Sequence, residues 1–163
     1  VLSVLLCLLG TVARGQNERF KALFLYNFTR YLEWPMGGQQ DDFVILVAGK
    51  NAKITNELQQ IAAKKTVGTL KMVVRESNDA SEATRCNMVF VPSSERGLLP
   101  NVVANTRGKH VVVVSDENGG ISQGASFNFI EAGGKTQFEV SPSTLENHGI
   151  KISSSLLSLG VVK

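Results

Sequence analysis

Four short runs of aliphatic and β-branched residues constrain this chain more than any other feature: Phe43–Val47, Leu70–Arg75, Met88–Val91 and His110–Ser115. All but the second are apolar almost throughout, as expected of strands covered on both faces. Helical patterns separate them. Ile54, Leu58 and Ile61 recur at core spacing between about Ala52 and Ala63, and Leu99, Val102 and Val103 do the same further on. Pro100 suits the start of that second helix and Gly108 its end. Asp79 and Glu82 predict a capping box over one more short turn. This alternation predicts an α/β fold: a mostly parallel sheet with helices on both faces.

The last third follows different rules. Ser126–Glu131 and Thr136–Val140 alternate, placing Phe127 and Phe129 on one strand in step with Phe138 and Val140 on the other. Ala132-Gly133-Gly134 between them predicts a hairpin, adding an antiparallel edge to the sheet. Ser143 and Glu146 form a capping-box pattern for a short helix that Gly149 ends. Ile152, Leu156, Leu157 and Leu159 predict a final helix.

At the other end, Lys21–Pro35 (KALFLYNFTRYLEWP) reads as a helix that the Trp34-Pro35 step closes. Phe20, Phe24, Phe28 and Tyr31, widened by Leu23 and Leu32, predict its buried stripe, with Lys21, Arg30 and Glu33 off it. Before it, residues 1–15 are an apolar run without an acid, closing on Ala13-Arg14-Gly15. They read as a secretory signal, too short to span a bilayer, with cleavage after Gly15. Residues 16–163 then form one domain.

Charge and cysteine usage narrow the function. Apart from Arg14, residues 1–15 carry no charge, so removing them lowers the net charge from +3 to +2. No clustered basic face marks a nucleic-acid binder. Cys86 precedes the apolar run of 88–91 and reads as a buried thiol; an intermolecular or redox role is its other reading. Cys7 departs with the signal, and no small residue precedes it as a lipoprotein cysteine requires. His110 and His148 stand at element ends without a nucleophile or carboxylate at catalytic spacing. No G-x-S-x-G, H-E-x-x-H or C-x-x-C pattern occurs, so no catalytic residue, metal or cofactor is assigned. The Asn27-Phe28-Thr29 sequon sits on the helix and reads as chance.

The ordered set of segments resembles the YfiR/HmsC-like family of periplasmic regulators. It comprises KALFLYNFTRYLEWP, Val47-Ala48-Gly49, residues 65–68 (KTVG), 86–91 (CNMVFV), 93–96 (SSER) and Val114-Ser115-Asp116. The Gly-rich loop 116–124, residues 129–135 (FIEAGGK), Phe138-Glu139-Val140 and residues 150–157 (IKISSSLL) complete it. The resemblance implies a periplasmic, homodimeric α/β domain, not itself membrane-spanning and not an enzyme. Such a protein represses an inner-membrane diguanylate cyclase, and so cyclic di-GMP and biofilm signalling, by binding the cyclase's periplasmic sensor region. Many members of the family carry paired cysteines that make repression redox-sensitive; here only Cys86 remains in 16–163.

Two sites follow as expectations. One is the stretch that ends the hairpin with Phe138 and Glu139 and continues through Leu145, Ile152 and Leu156. It is either the surface that docks on the cyclase, with Glu139 as a rim charge and Leu145 as an apolar anchor, or helices covering the sheet. The second site is a small-ligand crevice at the carboxyl ends of the parallel strands, near Gly49, Pro92 and Asp116. It belongs to an alternative reading, a periplasmic receptor domain for a small ligand.

Overall fold

The computed structural model describes residues 2–35 and 41–163. The side chains of residues 1–16, Cys7 among them, lie outside what it describes. Helix α1 (Leu2–Tyr31) leads into a two-residue strand, β1 (Leu32–Glu33). There follow β2 (Asp42–Ala48), α2 (Ala52–Ala62), β3 (Thr66–Val67) and β4 (Leu70–Ser77). A 3-10 turn (Ala80–Arg85), β5 (Met88–Val91), a second 3-10 turn (Ser93–Leu98), α3 (Leu99–Thr106) and β6 (Val112–Ser115) complete the α/β part. Then come β7 (Phe127–Ala132), β8 (Lys135–Val140), α4 (Pro142–Asn147), β9 (Lys151–Ile152), α5 (Ser154–Leu157) and β10 (Val161–Val162).

Eight strands form one sheet in the order β10-β8-β7-β6-β5-β2-β4-β3. Its pairs are parallel except β7–β8 and β3–β4. Alternation along β2 explains the two cores. Phe43, Ile45 and Val47 join Ala22, Leu25 and Phe28 of α1 and Ile54 and Leu58 of α2. Val44, Leu46 and Ala48 join Ala83, Leu99 and Val102. Successive side chains of a strand point to opposite faces, so a run that is apolar throughout fills both clusters.

Gly133 and Gly134, at φ +59° and +73°, make the turn between β7 and β8. A two-residue loop with positive φ at both positions matches the twist of the flanking strands. The hairpin is not the sheet edge that its sequence predicts. β10 pairs in parallel with β8, Val161 opposite Glu139 and Val162 opposite Val140, so the edge passes to the end of the chain described.

Helix ends and caps differ from expectation for local reasons. α1 stops at Tyr31 because Leu32 and Glu33 pair with Ile152 and Lys151. Trp34, the expected helix end, instead packs edge-on against Phe43 at 4.9 Å, and its Nε1 donates to the Asn87 carbonyl. Ser141, not Ser143, caps α4 by accepting from Thr144 N. Asp79 caps its turn by accepting from Ser81 N, so the predicted box with Glu82 is replaced by a tighter turn. The final helix is a single turn capped by Ser153, and Leu159 beyond it is 71% exposed.

The buried face of α1 is also turned. Phe20, Leu23 and Tyr31 are exposed, whereas Lys21, Ala22, Leu25 and Thr29 are buried. Phe28 and Leu32 belong to both the expected stripe and the observed one. Phe28 stacks on Phe127 at 4.2 Å and stands edge-on to Phe138 at 5.0 Å. Small Ala22 lets α1 lie close to the sheet, and the ion pair of Lys21 draws that side inward.

Candidate functional site

The carboxyl ends of β5 and β6 carry the polar centre of the molecule. Asp116 follows β6 directly and accepts from Lys21 Nζ at 2.7 Å, tying α1 to the strand ends. Glu18 lies one helical turn away, 3.9 Å from the same ammonium. Burial pushes the Asp116 carboxyl above its usual value; the hydrogen bond and charge of Lys21 work against it, Glu131 adds to it, and the Ser93 N–H opposes it. Glu18 is raised for the same first reason. Asp116 lines an open cleft of about 440 Å³ with Ser93, Arg96, Glu117 and Asn118.

Of Gly49, Pro92 and Asp116, the crevice residues expected from sequence, only Asp116 lines this cleft. Gly49, at φ +81°, donates its N–H to the Ser77 carbonyl at 2.7 Å, and the side chain of Glu95 folds over its Cα. Gly49 is a strand-end turn covered by that side chain. Gly49 does not line the cleft that Asp116 lines.

Asn128 escaped sequence reasoning. It alternates with Phe127 and Phe129, a pattern that reads as solvent-facing, yet it is fully buried. It accepts from Ser115 Oγ and Glu117 N, and its Nδ2 donates to Glu139 Oε2 at 3.0 Å. One amide therefore pins the Gly-rich loop 116–124 to β8. The only available signal was a polar residue in a strand flanked on both sides by others.

The segment expected to dock on a partner is divided by the structure. Phe138 (2% exposed), Leu145 (0%) and Leu156 (3%) belong to the core around α1, so they offer no surface as the chain is folded. Ile152 is half-buried in its pairing with Leu32. Glu139 stays partly exposed, held by Asn128 and by Lys163 Nζ at 3.3 Å. Beside it on β10 and the preceding turn stand Leu159, Val161 and Val162, 71%, 40% and 55% exposed. These three are large apolar side chains left exposed next to β8.

Cys86 is buried, with Sγ donating to the Glu82 carbonyl at 3.2 Å; burial pushes its thiol up to about 11. The two histidines meet: His110 Nδ1 donates to the His148 carbonyl at 2.9 Å. Thr29 of the sequon is buried and donates to the Tyr26 carbonyl. Among the described residues no three His, Cys, Asp or Glu side chains are placed to hold a metal ion, and no helix is long and apolar enough to cross a membrane.

The sequence profile of the YfiR/HmsC-like family matches residues 18–161, from the first buried turns of α1 to the start of β10. The chain belongs to this family. The matched span contains every element from β1 to α5, and with it the Lys21–Asp116 pair and the Asn128 anchor. No curated protein matches the chain.

Proposed function

We propose that this chain is a periplasmic regulatory binding protein, working as a homodimer, that represses an inner-membrane diguanylate cyclase by binding its periplasmic sensor region. The family match over nearly the whole chain is the observation that carries the reading. Residues 1–15 are then an export signal cleaved after Gly15, so that N-terminal sequencing of the periplasmic protein reads from Gln16. The polar centre fits a protein that holds a shape rather than one that turns over a substrate: its lysine and carboxylate are spent on each other.

The docking surface in this reading is the apolar strip Leu159, Val161 and Val162 with Glu139 at its rim. Apolar residues grouped at a sheet edge and rimmed by charge are what a partner strand or helix covers. Leu159 lies outside the core, so Leu159→Asp tests the surface without disturbing the fold. A folded, exported Leu159→Asp, Glu139→Lys variant should raise cellular cyclic di-GMP and biofilm. Restraint equal to wild type would move the surface to the exposed face of α1 at Phe20 and Leu23.

A second reading, a receptor for a small ligand, is favoured by the clefts at the strand ends and beside α4. The two are compatible, since a ligand bound to the repressor can tune its docking.

A further inference from the structure

We propose that the open cleft between the end of α3, residues 122–124 and α4 binds a small acidic carbohydrate, a sugar bearing a carboxylate or phosphate. At about 510 Å³ it falls within the range of small-molecule sites and far exceeds what a bare ion occupies. Its polar lining is Arg107, Ser122, Gln123, Thr144, Asn147 and His148, without a single carboxylate. Arg107 makes no ion pair among the described residues, leaving a guanidinium fork that matches two anionic oxygens at once.

The rest of the lining suits hydroxyl groups. The amides of Gln123 and Asn147 have no hydrogen-bond partner among the described residues, and an amide donates and accepts together, as a sugar hydroxyl requires. His148 is 8% exposed, its carbonyl is held by His110, and its Nδ1 is buried without a partner. That atom has almost no accessible surface and does not open onto the cleft, so His148 serves as part of its wall. Gly124, at φ +104°, brings the loop against Val103; a Cβ there would stand 2.7 Å from Val103 Cγ1, so the glycine sets the wall of the cleft. This inference gives the small-ligand reading a ligand class and does not depend on the docking surface.

Calorimetric titration of the 16–163 protein at low salt with glucuronate and glucose 6-phosphate tests it, with glucose and inorganic phosphate as controls. At least one acidic sugar should bind, at least tenfold more tightly than either control. Arg107→Gln should weaken it at least tenfold with the melting temperature unchanged, and Asn147→Ala should weaken the sugar without affecting inorganic phosphate. Should Arg107→Gln fail to fold, Arg107→Lys keeps the charge, loses the fork, and should show the same loss. No binding by either acidic sugar, equal binding of glucose, or full binding by a folded Arg107 variant overturns the proposal. Inorganic phosphate binding as tightly as glucose 6-phosphate overturns the carbohydrate assignment. Leu159→Asp should bind the sugars as wild type does, so failure here and failure of the docking reading are read apart.

Discussion

Lys21 and Asp116, 95 residues apart in sequence, meet at 2.7 Å, joining the first helix to the carboxyl end of β6. Both side chains are largely buried, at 8% and 17% exposure, so each needs the other. Removing one partner of a buried pair strands a charge; Lys21→Met should cost about 3 kcal/mol near neutral pH, the lower end for such pairs.

The pair also fixes a sign of pH dependence. Burial raises Asp116 and Glu18 above their ordinary values in the folded protein, with Lys21, Lys53, Glu131 and the Ser93 N–H as the other contributors. Between the ordinary and raised values the folded state holds more protons than the unfolded one. Stability from these groups is therefore greatest below the ordinary value, 3.8 for Asp116, and falls as pH rises through the folded value. The deficit of Lys21→Met should shrink as pH falls from neutral towards the ordinary value of 3.8, because Asp116 takes up its proton earlier when folded and then no longer needs the cation. Thermal melts of wild type and variant at neutral pH and at that lower pH check this; equal deficits would refute it.

Phe28 is the hub of the aromatic core, fully buried and in ring contact with Phe24, Phe127, Phe129 and Phe138. Phe28→Ala leaves a cavity that the rigid sheet cannot close and should cost about 3–5 kcal/mol. The measurement is the denaturant midpoint, with the slope unchanged if only the folded state is affected.

Cys86 should be inert. With its thiol pushed up to about 11 and buried, it carries almost no thiolate at neutral pH. Iodoacetamide should leave the native protein unmodified and label it fully once unfolded. Cys86→Ser should lower stability by about 1–3 kcal/mol through an imperfectly satisfied hydroxyl, and repression should remain insensitive to oxidant.

Gly160 lets β10 close over the hairpin. A Cβ at this position would run into the ring of Phe138, which its neighbours Phe24, Phe28 and Phe127 hold in place. Gly160→Ala should therefore cost about 1–3 kcal/mol, as overpacking does. Hydrogen exchange should speed up in β8 and β10 before it does in β2. Uniform exchange across the sheet would show that β10 is not the weak edge.

The sequence by itself determined the four parallel strands, the helices at 52–62 and 99–106, and the Gly-Gly turn, along with the family. Each rests on a local cause: a continuous apolar run, a 3.6-residue period, or a backbone that only glycine adopts readily. The tertiary structure decided which face of each element is covered. Phe138, Leu145 and Leu156 read equally well as patch or core until α1 lies across them, because hydrophobicity reports that a side chain seeks cover and not what covers it. The turned face of α1, the edge strand β10, the buried Asn128 and the Lys21–Asp116 pair all depend on residues distant in sequence. Their periodicity cannot announce those partners; only packing brings them within reach.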